Sequence, residues 1–384
     1  MMFAGSPTYR GYERGTVCEL RIINSIPMRK LLVFVTCGLS LLDTGCLHPK
    51  IGPQSLPRDR ALYSTSLADS WKEQTLLNIV KVRYVDPPIF VDVGSIVASY
   101  TLLEGASAGA TIAPSGTNSG VLGGSVAFSN SPTITYTPLT GNAYIKSLIT
   151  PLPAAMVFAG IQNGLPADAI LLSSVSSING LRNQQVDLHG IRPADPDFHR
   201  VRELLRAIQL SGAIRLSVKQ DAKEQETSIL GLRTNDIPPE IQADSVELRR
   251  LLHLNPQATE FQLVSAPLPS ADTEVAVQTR SISGMLQNMA AQVEVPPADV
   301  SQHRAFPGNE TGHEVPGVVP MISIHSSKTK PNDAFVSVYY RDTWFWIDDG
   351  DLRSKASLVQ LMQLFTMTDT GAKENLPVVT IPSR

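Results

Sequence analysis

The sequence predicts an α+β fold with a mixed or mainly antiparallel sheet and helices packed mostly on one side. Three observations predict it. Helical and strand-like segments come in runs, not in the strict alternation of a doubly wound sheet. Asp197–Leu210 and Leu352–Thr366 repeat apolar residues at i, i+3, i+4 and i+7, so each offers one apolar stripe to a core. Phe335–Asp348 shows period two on both arms around Arg341-Asp342, which reads as a hairpin.

The elements follow in order. Ser70 and Glu73 have capping-box spacing ahead of Leu76, Leu77, Ile79, Val80 and Tyr84, and Pro87-Pro88 closes that helix. Ile89–Tyr100 is rich in Val and Ile and predicts a strand. Glu104–Ser131 is nearly all Gly, Ser, Ala and Thr, with no charge after Glu104. Its second half alternates, so it reads as a Gly-rich hairpin or loop before a firm strand at 132–137. Short helices are expected at 143–148 and 154–162, and a longer one at 167–178 ending at Asn179-Gly180. Then come the helix 197–210, strands at 213–219 and 226–232, and a helix from Pro238 to Leu254. Strands at 260–266 and 273–280 lead into a helix at 281–291. Residues 296–320 are rich in Pro and Gly and read as a long loop. Strands at 320–326 and 334–340, the hairpin, the helix 352–366 and a closing strand at 378–381 complete the chain.

In the hairpin, Val336, Val338, Tyr340, Phe345 and Ile347 share one face, while Tyr339, Trp344 and Trp346 share the other. Both faces are apolar, which predicts cover on both sides. If the second face is instead open, Tyr339, Trp344 and Trp346 are a candidate partner surface.

Composition excludes several classes. The 384 residues are 42% hydrophobic, too apolar for a disordered chain, yet no run is long enough for a membrane-spanning helix. The net charge of −3 gives no basic surface for nucleic acid. Three cysteines rule out a disulfide framework.

The N-terminus carries an address. Met28-Arg29-Lys30 is a short basic start, and Leu31–Leu42 is an apolar core of signal-peptide length. Asp43-Thr44-Gly45-Cys46 follows and resembles the lipobox of bacterial lipoproteins, with Asp43 standing where Leu is usual. The resemblance implies cleavage before Cys46, a diacylglycerol thioether on its sulfur and an acylated amino terminus. Cys18 and Cys37 lie upstream, so Cys46 would be the only cysteine left, which suits an oxidising compartment. Leu47 follows Cys46 at a position where an Asp would resemble an inner-membrane retention signal, so the outer membrane is expected. Residues 1–27 have no place in such a signal and read as an over-extended start, 28–45 as the signal peptide and 46–65 as a tether. The discarded stretch holds more Arg and Lys than Asp and Glu, so the rest is more acidic than the whole chain. Such a body does not hold anionic lipid by charge, and the acyl chains must do it.

Three segments, WKEQTLLNIVKVRYVDPP (71–88), SPTITYTPLTG (131–141) and YYRDTWFWIDDGDLRSK (339–355), resemble an uncharacterised family of Gram-negative bacterial envelope lipoproteins. The resemblance would cover most of the mature chain. It implies the cell envelope and lends no catalytic residues.

Motifs for chemistry are sparse. Nucleotide-binding loops, zinc-protease, C-x-x-C and G-x-S-x-G patterns are absent from the sequence. Ser327-Lys328-Thr329-Lys330 matches S-x-x-K, but Pro331-Asn332-Asp333 marks a turn there and favours a solvated loop. Asp348, Asp349 and Asp351 lack EF-hand spacing; capping of the next helix explains them better than a metal does. The histidines are scattered, with no two at helical spacing, so no metal set is drawn from them. Asp86 beside Arg83-Tyr84 suggests a polar contact or a buried ion pair.

The expectation is therefore an outer-membrane-anchored, periplasmic, structural or interaction component of the envelope, with no cofactor. Its partners are the membrane, through Cys46, and a protein of the envelope. Two alternatives stay open. One is an envelope enzyme using Asp348 or Asp351 with a histidine such as His325. The other is a ring-forming lipoprotein whose Gly/Ser hairpin inserts in the membrane. Gly120 and Gly124 leave gaps on the apolar parity and Pro114 removes a ladder donor, so 105–131 is expected to be a flexible periplasmic loop. The body is either one continuous domain or two α+β parts, 66–190 and 191–384.

Overall fold

A computed structural model describes residues 16–22, 56–97, 100–111, 119–130, 132–188, 190–220, 226–307, 315–368 and 379–382. Cys46, the signal segment 28–45 and the first part of the tether lie outside the described residues. The architecture is α+β, with mostly antiparallel sheets and one mixed sheet. Among the described residues, no helix is long and apolar enough to cross a membrane.

The chain divides into two compact units. The first comprises 1–64, 91–137 and 375–384, and the second comprises 65–90 and 138–374. Among its described residues the first unit is strand, apart from the start of a helix described below. It holds β1 (Thr16–Ile22), β2 (Val91–Val97), β3 (Tyr100–Thr111), β4 (Ser119–Asn130) and β5 (Thr133–Pro138). One sheet runs in the order β1-β4-β3, and β5 is central in another, between β2 and the strand Val379–Pro382. The loop expected at 105–131 is thus largely a hairpin. Gly and Ala carry low strand propensity alone, but twelve continuous cross-strand pairs supply the ladder hydrogen bonds that outweigh it.

In the second unit, α1 (Leu56–Arg83) begins fourteen residues before the expected cap at Ser70. Ser70 and Glu73 are interior to it. Cap spacing stops a helix only where the preceding residues cannot be helical, and 58–69 contain no Pro or Gly to break one, with Pro57 in the tolerant first turn. The buried stripe starts at Thr75 and runs through Leu76, Ile79, Val80 and Arg83, matching the sequence periodicity. Val85, at φ 62°, ends the helix just ahead of Pro87-Pro88.

After α2 (Gly141–Tyr144), a π-turn (Ile145–Ile149) and α3 (Ala154–Gln162) comes α4, which spans Ala167–Ser174. The helix expected to reach 178 stops there, because Val175–Ile178 is β6 and pairs with a strand a hundred residues on. β-Branched Val175 and Ile178 tolerate either state, and the tertiary partner decides. Asn179 (φ 46°) and Gly180 (φ 83°) then form a two-residue turn into β7 (Leu181–Arg182) instead of a helix cap. The Asn179 amide donates to Leu252 O at 2.7 Å and its oxygen accepts from Ala276 N at 2.7 Å, which fixes this turn in the core.

β8 (Gln185–Asp187) and β9 (Gly190–Arg192) pair across residue 190, so the fold does not part there as the two-part reading expected. Pairing of β6 with the later strand makes this body continuous. Helix α5 (Pro196–Leu210) buries Phe198, Val201, Leu204, Leu205 and Ile208, each worth about 1.5–3 kcal/mol relative to exposure. Strands β10 (Ile214–Gln220) and β11 (Glu226–Leu232), helix α6 (Pro239–Leu251), β12 (Glu260–Val264) and β13 (Glu274–Thr279) follow. The central sheet runs β10-β11-β12-β13-β6-β7, antiparallel except for the parallel pair β12/β13. Helix α3 packs on β10, β12 and β13, and α5 packs on α4 and α6.

Arg280, after β13, donates to the carbonyls of Leu172 (2.8 Å), Ser173 (3.1 Å) and Gln184. Burial, with the Arg192 charge beside it, pushes its pKa down to about 10. Helix α7 (Ile282–Ala290) is capped by Ser281, whose hydroxyl accepts from Gly284 N at 3.1 Å. Within the expected long loop 296–320, Pro297–Ser301 forms the short helix α8.

Candidate functional site

The last sheet is built from β14 (His325–Ser327), β15 (Ala334–Tyr340) and β16 (Thr343–Asp348), in the order β14-β16-β15. Arg341 and Asp342 both have positive φ, 47° and 58°, as a two-residue hairpin turn requires. The register pairs Val338 with Phe345 and Tyr339 with Trp344, so the two faces are those read from the alternation. Val336, Val338, Phe345 and Ile347 are buried and join the main core. Helix α9 (Leu352–Thr368) adds Leu358, Leu361 and Leu364 to that core, with Met362 and Phe365 partly buried beside them.

The other face is not covered as expected. Tyr339 is 55% exposed, and Trp344 and Trp346 are half-buried. Their rings are held in two pairs: Tyr339 lies 5.2 Å from Trp344, and Trp346 lies 5.5 Å from His325, centroid to centroid. β14 creates the second pair, because its register sets His325 opposite Trp346. His325 Nδ1 sits 3.0 Å from Glu294 Oε1, and Lys330 Nζ is 5.2 Å from the Trp344 ring centre. The Tyr339 hydroxyl donates to Asp342 Oδ1 at 3.2 Å. Partial desolvation, with that bond and the carboxylate charge, raises its pKa. The result is a flat amphipathic surface with rings held in place and polar groups at its margin. This is the chemistry of contact residues, with large area and little rotamer freedom to lose.

The carboxylates beside it serve the backbone. Asp351 caps α9: Oδ1 accepts from Ser354 N at 3.0 Å and Oδ2 from the Ser354 hydroxyl. Burial works to raise the Asp351 pKa, but the Ser354 hydroxyl and amide, helped by Arg353, outweigh it and hold the carboxyl below its usual range. Asp348 accepts from Gly350 N at 2.7 Å, and Asp349 pairs with Lys355 at 2.6 Å. Asp348 and Asp349 are exposed. His325 faces Glu294, so the acid that the enzyme reading joins to it is engaged elsewhere. In the S-x-x-K segment, Ser327 donates to Thr329 O, and Lys328 donates to Asp342 O (3.0 Å) and Thr343 Oγ1 (3.2 Å). Among the described residues, no group of three His, Cys, Asp or Glu could hold a metal.

A second constellation joins α1 to the hairpin. Asp86 accepts from the Tyr340 hydroxyl and from Arg341 Nη2 at 3.0 Å, so its cation is Arg341 and not Arg83. Arg83 donates to Ala291 O at 3.1 Å. The Arg341 guanidinium lies 5.1 Å from the Tyr84 ring centre. Glu294 had no signal in the sequence, and Lys330 only as the lysine of the S-x-x-K match, since each meets its ring only through tertiary pairing.

No protein-family model, curated protein or solved structure matches this chain in any of the three comparisons.

Proposed function

We propose that the protein is a lipid-anchored, periplasmic component of the outer membrane that acts by contacting a protein partner of the envelope. The anchor reading is supported by the basic start, the apolar core 31–42 and the lone downstream Cys46. The single observation that carries the contact reading is the exposed aromatic face of β14-β16-β15. Tyr339, Trp344 and Trp346 lie outside the core while Val336, Val338, Phe345 and Ile347 on the opposite face of the same strands are buried. An open patch of paired rings on an ordered sheet is the composition of a contact centre.

Two measurements test this reading. Cys46→Ala should move the protein from the membrane to the soluble fraction after cell disruption; retention in the membrane would refute the anchor. A photo-crosslinking residue at position 339 should give a defined adduct in intact cells, and Trp344→Ala should remove that adduct. A face that gives no adduct at 339 would end the contact reading.

A further inference from the structure

Strands β3 and β4 have twelve residues each, and their ladder runs without a register break from Tyr100↔Asn130 to Thr111↔Ser119. Alternate positions divide it into two faces by parity. Leu102↔Phe128, Glu104↔Val126 and Ala108↔Leu122 fall on one parity of the register, and Thr101↔Ser129, Leu103↔Ala127, Gly105↔Ser125, Ser107↔Gly123 and Gly109↔Val121 on the other. Glu104 is the only charged residue from Tyr100 to Asn130.

A two-stranded ribbon is marginal in water, and its open edges attract other strands. Here the outer edge of β4 is occupied. β1 lies on it antiparallel, from Thr16↔Val126 to Ile22↔Gly120. Among the described residues, no strand pairs with the outer edge of β3. β1 precedes Cys46, so cleavage there would take β1 away and leave the β4 edge without its partner.

We infer that in the processed protein this edge of β4 is taken by β3 of a second copy of the chain, an inference that rests on the proposed cleavage before Cys46. β1 and β3 both run antiparallel to β4, so a neighbour's β3 enters the vacated slot with the polarity that β1 has now. Each copy then offers its β4 edge and receives on its β3 edge. Such a head-to-tail contact uses two different edges and closes into a ring when the rotation per copy divides a full turn. Closure removes every open edge, as in a barrel. Residues directly opposite share a face, so each parity of one hairpin continues into the same parity of the next, with Leu102, Leu122, Val126 and Phe128 on one of them.

The test uses the full chain, expressed in a Gram-negative host as two differently tagged copies. After processing, with the Cys46 sulfur acylated, an introduced cysteine is the only free thiol. One copy carries Ser125→Cys. The second carries a single cysteine at Thr101, Leu103, Gly105, Ser107 or Gly109 in turn, or, on the opposite parity, at Leu102, Ala106 or Ala108. Oxidation should give mixed-tag disulfide dimers from one or two neighbouring positions of the first series and none from the second. Mass spectrometry of the amino terminus reports the processing independently. Acylated Cys46 without a dimer from any position, or with equal dimer from both parities, overturns the inference and leaves the lipoprotein reading standing. An amino terminus at or before Thr16, with β1 still on the edge, overturns both.

Discussion

The Tyr84 hydroxyl donates to Asp299 Oδ2 at 2.7 Å, joining the end of α1 to α8 across 215 residues of sequence. Tyr84 is 3% exposed and Asp299 is 7% exposed. The Tyr84 ring also meets Tyr340 edge-on at 5.6 Å and Phe345 at 6.1 Å, so one side chain ties helix, short helix and hairpin together. Burial first, and then the bond to Asp299 and its charge, push the phenol pKa well above the usual range, and it stays a donor.

Tyr84→Phe keeps the ring packing and removes this donor. A lost hydrogen bond to a charged group costs about 1.5–3 kcal/mol. Arg304, 3.4 Å from the other Asp299 oxygen, remains and sets the lower end of that range. The change should appear as a lower urea midpoint with an unchanged m value. A loss under about 0.5 kcal/mol would mean that Arg304 or water replaces the phenol completely.

Asp351 makes the acid limb of stability partly its own. Its folded-state pKa lies below the ordinary carboxylate value of about 3.9. A depressed carboxyl gives stability that is fully present above the unfolded value and is lost as pH falls through the folded one. Removing it with Asp351→Ala should cost about 1 kcal/mol at neutral pH, as for other helix N-caps. The parent and variant curves should then converge as the pH drops below about 4. A gap that stays constant into strong acid would show that the carboxylate charge has no part in the cap.

The two faces of the final hairpin should respond unequally to truncation. Phe345 is fully buried, so Phe345→Ala should cost about 3–5 kcal/mol. Trp344 and Trp346 are half-buried, and Trp344→Ala should cost less than about 2 kcal/mol. Thermal or urea unfolding of the two variants measures the difference. Equal losses would mean that the aromatic face is structural and would remove its claim as a contact surface.

Several elements were legible from local pattern. Asp197–Leu210 differs from the observed α5 by one residue, because its i, i+3, i+4, i+7 stripe is unbroken and nothing local competes. The 154–162 helix and the Arg341-Asp342 turn were equally clear, since period and turn chemistry agree there. Errors fall where a distant partner decides. Val175–Ile178 continues an apolar helical stripe, yet β13 converts it to a strand. Ser70 is a miss of a different, local kind: its cap signal is overridden by helix-compatible residues before it.

The candidate face was half legible. Alternation alone separated Tyr339, Trp344 and Trp346 from Val338 and Phe345, because a strand has period two whatever surrounds it. Whether that face was covered was not readable, since cover comes from elements that share no local sequence with it. His325, Glu294 and Lys330 reach the rings only after β14 pairs with β16. In the same way, composition told of an uncharged segment after Glu104, while the continuous register of β3 and β4 alone decides that it is a ladder. The sequence by itself determined the α+β class, the core-facing stripes and the hairpin parity, all of which depend on residues a few positions apart. Tertiary structure decided which strands meet, which face stays open and which acid meets which donor, because those free energies belong to groups a hundred or more residues apart and exist only once the chain has closed on itself.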